Sequence, residues 1–136
     1  MRLGTPDEAL AHRDHWITLG QEIFHSVGLA TQPVVANDPF FGRGGRVMKA
    51  TQREQELKYE LVVPITSQQK PTAVASSNYH LDHFGLAFDI RTADGDVAHS
   101  ACVGFGYERM ALALFNTHGM DPGLWPQSVK QVLELS

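Results

Sequence analysis

Residues 102 to 109, Cys-Val-Gly-Phe-Gly-Tyr-Glu-Arg, bring a thiol, two glycines and a guanidinium together where a strand-like run gives way to a helical one. Glycines at such a junction let an anion approach the backbone, and a helix N-terminus favours negative charge. A guanidinium there can make two parallel hydrogen bonds to a phosphate. Arg109 is therefore either an anion clamp or a surface arginine paired with an acid, and spacing alone leaves both open. The run is G-x-G-x-x-R and lacks the third glycine of the dinucleotide fingerprint.

Other chemistry-bearing residues are dispersed. Cys102, the one cysteine, is either a buried small apolar residue or a thiolate ligand, and no C-x-x-C or H-x-x-x-H spacing accompanies it. The seven histidines include two i, i+3 pairs, His12 with His15 and His80 with His83, each able to share a helical face. Neither pair has a third ligand at a recognisable spacing, which leaves a histidine-based metal hydrolase without a ligand set. A Cys102–His99 nucleophile pair is disfavoured, because i and i+3 on a strand point to opposite faces. Ser76, Ser77 and Asn78 end a strand-like run, where they either close a turn or fix a polar small molecule. Lys58 and Glu60 share one strand face as a salt bridge or a ligand clamp.

These residues need elements to position them. Thr5-Pro6-Asp7-Glu8 has the composition of a helix start, with a cap, a first-turn proline and a capping-box glutamate. Leu10, Trp16, Leu19, Ile23 and Val27 continue at helical spacing as far as Gly28. Thr31 to Ala36 and Leu57 to Ile65 read as strands. Asn37 to Gly45 is turn chemistry, and Met48 to Gln55 suits a short polar helix. Thr72–Tyr79, Leu86–Ile90 and Val97–Phe105 are expected as neighbouring antiparallel strands, the last two joined by a hairpin at Asp94-Gly95. Helices follow over Glu108–Thr117 and Trp125–Leu135. The fold class is α+β, an antiparallel sheet flanked by helices in a single domain, residues 1–136.

Composition narrows the function. A net charge of −4 and a pI near 5.9 argue against a general phosphate-backbone binder. No apolar run approaches the roughly 20 residues that cross a bilayer. The N-terminal residues lack a signal-peptide pattern, and one cysteine cannot form an internal disulfide, so a cytoplasmic location is expected.

In combination the motifs are more specific. CVGFGYERMALALF resembles motif 3 of class II aminoacyl-tRNA synthetases, within about residues 97–117, and LKYELVVPI followed by ASSNYHLDHFG resembles the strands before motif 3 in seryl-tRNA synthetases. RLGTPDEALAHRDHW, ANDPFFGRGGR, SSNYHLDHFG, AHSACVGFGYERMALALFNTHG and WPQSV are similar, in order, to the amino acid:[carrier protein] ligases. The resemblance implies a class II synthetase-like core that activates a small amino acid with ATP and Mg2+. The aminoacyl group then passes to the phosphopantetheine thiol of a carrier protein. A cytoplasmic homodimer is implied, with no tRNA and no membrane as partners.

By the same resemblance Arg109 holds ATP, Ala73, Val74, Ala75 and Ser76 line the nucleotide site, and Asn78 and Phe40 belong to the amino-acid pocket. Cys102 matches the last ligand of a zinc ion that family members hold by two cysteines and a glutamate. Thr72 stands where seryl-tRNA synthetases carry a metal-binding glutamate. Motif 2, the first zinc cysteine and the zinc glutamate would lie upstream of Arg2-Leu3-Gly4, so the sequence corresponds to the C-terminal part of the catalytic core. With one zinc ligand of three, the isolated chain is expected to bind zinc weakly and to release no pyrophosphate alone. The alternative is a non-catalytic binding or assembly module that keeps the synthetase-like fold.

Overall fold

The Thr5 hydroxyl accepts from the Glu8 N–H at 3.3 Å, and the Glu8 carboxylate accepts from the Thr5 N–H at 2.9 Å. This reciprocal capping box, with Pro6 in the first turn, opens α1 at Pro6–Ser26. Gly28, at φ +75°, takes the left-handed conformation that ends it. The structure is a computed structural model that describes residues 1–36 and 57–135. The expected turn at Asn37–Gly45, the expected helix at Met48–Gln55 and Phe40 lie outside the described residues.

Five strands form one antiparallel sheet: β1 (Arg2–Gly4), β2 (Gln32–Val35), β3 (Lys58–Val63), β4 (Thr72–Tyr79) and β5 (His99–Phe105), in the order β1-β5-β4-β3-β2. Register decides which side chains share a face, because directly opposed residues point the same way. Lys58 faces Asn78, which faces Cys102; Glu60 faces Ser76, which faces Gly104. Their odd-numbered neighbours Tyr59, Ser77 and Val103 point to the other side.

That other side belongs to α1. The Ser77 hydroxyl donates to the Arg13 carbonyl at 2.9 Å, the Arg13 guanidinium lies 5.3 Å from the Tyr59 ring centroid, and Phe105 meets Trp16 and Phe24. Phe24, Leu29, Leu61, Val74 and Ala75 are buried there, joined by Ala113 of α3 (Tyr107–His118) and by Trp125 and Val129 at α4 (Gln127–Val132). Each such large apolar side chain contributes about 1.5–3 kcal/mol by leaving water.

The structure corrects the expected strand at Leu86–Ile90. Residues His83–Phe88 form a helix, α2, instead. The Asp94-Gly95 turn does form, with the Gly95 N–H donating to the Thr92 carbonyl at 3.0 Å, but its arms meet only at one bridge, Arg91 with Val97. A turn signal specifies the turn and not the length of the ladder beside it. Gly85 allows α2 to press against the chain entering β5, since a Cβ there would overlap the Ala98 carbonyl oxygen. The left-handed Asp89 caps the helix through its N–H to the Gly85 carbonyl.

Three smaller differences follow. β5 begins at His99 and not at Val97. The edge strand β1 was too short to show alternation. The last helix is shorter than Trp125–Leu135, with Pro126 as its N-cap and a 3₁₀ turn at Pro122–Leu124 before it.

Gly85→Ala is expected to destabilise the fold by about 1–3 kcal/mol, the usual cost of overpacking, read as a lower denaturant midpoint at unchanged slope. An unchanged midpoint would contradict the close packing of α2 on the β5 entry.

Candidate functional site

The sheet face opposite α1 carries polar side chains in two cross-strand rows. Lys58, Asn78 and Cys102 form one; Glu60, Ser76 and Gly104 form the next. Lys58 Nζ lies 3.0 Å from Glu60 Oε1, so the expected ion pair exists. It also lines an open cleft of about 240 Å³ with Ala73, Val74, Ala75, Ser76, Gly104 and Arg109. Salt bridge and cleft wall are thus the same two residues.

Arg109 reaches this cleft from the first turn of α3. Its Nη1 donates to the Ala73 carbonyl at 3.1 Å, and among the described residues it has no acidic partner. One N–H is used on that carbonyl, which leaves the rest of the guanidinium fork for an anion. A bulge in β4 helps to supply the contact. The register with β3 shifts between Leu61, opposite Ala75, and Val62, opposite Ala73, so Val74 is the extra residue. The Val74 carbonyl accepts from the Gly106 N–H at 2.9 Å, which ties the head of α3 to the bulge. Gly106, the N-cap of α3, supplies no side-chain cap, so the first N–H groups of the helix keep their capacity for an anion. Gly104 and Gly106 do not serve through positive φ. A Cβ at Gly104 would lie 3.9 Å from Ser76 Oγ, in ordinary contact, so the glycine chiefly leaves the cleft floor open.

Farther along the same face the polar groups become buried. Asn78 Nδ2 donates to Ser76 Oγ at 3.2 Å and to Cys102 Sγ at 3.6 Å. His80 Nε2 lies 3.4 Å from Cys102 Sγ, and its Nδ1 lies 2.9 Å from Ser100 Oγ. Phe84 of α2 meets the His80 ring edge-on, so the helix that replaced the expected strand covers this end of the face. Burial pushes the His80 imidazole down to about 4, and the nearby His83 adds to the effect.

The family resemblance points to Cys102 and Asn78 as candidates and does not join His80 to them. The signal was parity: Ser76, Asn78, His80 and Ser100, Cys102, Gly104 alternate with apolar or α1-facing residues. His80 and His83 do not share a helical face, since His80 precedes α2. His99 turns instead to the Tyr79 hydroxyl. His12 and His15 both pack on Trp16.

Among the described residues no three His, Cys, Asp or Glu side chains are grouped to hold a metal ion. The half-buried Cys102 sulfur has the donor chemistry of one soft ligand, which fits one corner of a zinc site and not a closed one. No helix among the described residues is long and apolar enough to cross a membrane.

No family model matches the chain. It is 47% identical over 134 residues to amino acid–[acyl-carrier-protein] ligase 2 of Bradyrhizobium diazoefficiens, and 44% identical over 133 residues to ligase 1 of the same organism. The chain is homologous to the amino acid–[acyl-carrier-protein] ligases. Both matches cover 98% of the chain but only 40% and 41% of those relatives, so it spans about two fifths of their length. The type-2 serine–tRNA ligase of Methanopyrus kandleri is 25% identical over 142 residues, covering 97% of the chain and 26% of that relative. A solved structure of M. kandleri SerRS in complex with A. aeolicus tRNASec superposes with a TM-score of 0.78 at 23% identity, over 97% of this chain and 26% of that one. The sheet and its helices therefore have the class II seryl-tRNA synthetase fold.

His80 gives this homologue a pH signature. A histidine held neutral by burial stabilises the fold above its unfolded value of 6.5, and that contribution is lost as pH falls through about 4. His12, also lowered chiefly by burial, acts in the same direction. The denaturant midpoint should fall between pH 6.5 and 4, and His80→Gln should flatten the fall without abolishing it. An equally steep fall in His80→Gln would contradict the assignment.

Proposed function

We propose that the polar sheet face binds ATP and a small amino acid as part of an amino acid–[carrier protein] ligase, with this chain forming the C-terminal part of the catalytic core. The observation that carries the proposal is Arg109, bonded to the Ala73 carbonyl at 3.1 Å and facing the cleft that Lys58 also lines. The names of the two Bradyrhizobium relatives support the reaction class.

In this reading the amino acid's carboxylate attacks the α-phosphorus of ATP, pyrophosphate leaves, and an aminoacyl adenylate forms. The phosphopantetheine thiolate of a carrier protein then attacks the acyl carbon and AMP leaves. Arg109 and Lys58 offset the negative charge of the phosphates, with Mg2+ as companion cation, and Ala73 to Ser76 form the wall along which the nucleotide lies. Asn78 and Phe40 contribute to the amino-acid pocket. Cys102 would hold zinc together with ligands that the described residues do not supply, and that zinc would offer a Lewis-acid contact for the substrate's amino group. The working enzyme is a cytoplasmic homodimer that does not use tRNA. Cys102 matches one of the family's three zinc ligands, and the second reading for the chain alone is a binding or assembly module on the same fold.

Amino-acid-dependent ATP–pyrophosphate exchange separates the two. A chain extended to carry motif 2 should exchange with glycine or alanine, whereas the 136-residue chain should not. In the extended chain Arg109→Ala should cost on the order of 2–4 kcal/mol of transition-state stabilisation, and Arg109→Lys should recover little because a point charge lacks the planar fork. Wild-type exchange in Arg109→Ala would overturn the role of this residue. Absence of exchange in the extended chain with every small amino acid would overturn the ligase reading.

A further inference from the structure

We propose that His80 and Asn78 are positioning residues for Cys102, two side-chain N–H donors that fix its sulfur as a hydrogen-bond acceptor at the buried end of the polar face. This rests on the proposed role of Cys102 as a ligand in the ligase site.

The register creates the arrangement. Asn78 is directly opposite Cys102, and His80 follows two positions later on the same side. An amide NH₂ can only donate, so at the 3.6 Å contact with Asn78 the sulfur accepts. The imidazole has two roles to distribute, and its Nε2 lies 3.4 Å from that sulfur. Its Nδ1 faces the Ser100 hydroxyl at 2.9 Å, and a hydroxyl can donate or accept as required. Ser100 is fully buried, so its proton is best used on Nδ1. That choice places the ring proton on Nε2, directed at sulfur.

A second observation marks this as a site. Asn78 is only 3% exposed, yet its Oδ1 has no hydrogen-bond partner among the described residues. A buried acceptor left unmet is costly, and this one stands on the amide whose other end holds Cys102. The chemistry that satisfies it is an N–H donor beside the sulfur, such as the ammonium group of a small amino acid.

The test is the tautomer of the His80 ring in the 136-residue chain, read by two-bond proton–nitrogen NMR at pH 7. The expected result is a proton on Nε2 and none on Nδ1, with the Nε2–H resonance shifting in Cys102→Ala and the single tautomer lost in Ser100→Ala. Addition of zinc should leave the Nε2 proton in place. A proton on Nδ1 in the wild type would overturn the proposal, and so would loss of the Nε2 proton on adding zinc, which would make His80 a ligand itself. An Nε2–H resonance indifferent to Cys102→Ala would reduce His80 to a structural role and overturn it too. The readout needs no catalysis, so a failed exchange assay with the expected tautomer would overturn the ligase reading while leaving the hydrogen bonds to sulfur standing.

Discussion

The antiparallel register of β3, β4 and β5 is the constraint on which every other feature of the site depends. Strand side chains alternate with a period of two, so a slip of one residue would turn the whole polar set into the core. The register is held from the α1 side, where Ser77 binds the Arg13 carbonyl and Phe105 packs on Trp16 and Phe24. These contacts commit the odd-numbered residues to the core. Lys58, Glu60, Ser76, Asn78, Cys102 and Gly104 are left together on the opposite face.

That face is graded. At one end Arg109, tied to the β4 bulge through Ala73 and standing in the first turn of α3, whose Gly106 N-cap gives no side-chain bond, gathers positive character around an open cleft. At the other, α2 covers His80, and Asn78 and Ser100 are buried among hydrogen bonds that converge on one sulfur. An anionic group suits the open end, where solvent lowers the cost of bringing charges together. A small polar group with exact hydrogen-bonding needs suits the closed end, because a mismatched donor or acceptor is most costly there. ATP and the amino group of a substrate match this gradient in the proposed reaction.

Features coded locally were legible in the sequence. The Thr5–Glu8 capping box and the strand at Thr72–Tyr79 formed as their composition indicates, and the helix expected over Glu108–Thr117 formed over Tyr107–His118. The Lys58–Glu60 pair was legible for the same reason, two residues on one strand face. What depended on contacts between distant segments was not. Leu86–Ile90 has the composition of a hairpin arm, but Gly85 lets a helix approach the Ala98 carbonyl, and packing prevailed over the turn signal. The Cys102–His80 contact required the β4–β5 register, which no spacing within either segment reports. The three-residue β1 exists through its pairing with β5. The family motifs pointed to Arg109 and Cys102, and the register adds how they share one face.

The central claim, one polar face graded from an open nucleotide end to a closed end where Asn78, His80 and Ser100 are buried beside the half-buried Cys102, is tested most directly by mapping backbone amide shifts during titration of the chain with Mg2+–ATP. The account predicts that the largest changes cluster at Lys58, Glu60, Ala73 to Ser76, Gly104 and Arg109, while Arg13, Tyr59 and Ser77 on the α1 side stay near their starting positions. Shifts concentrated on α1, or spread evenly over the surface with none at the Arg109 cleft, would contradict it.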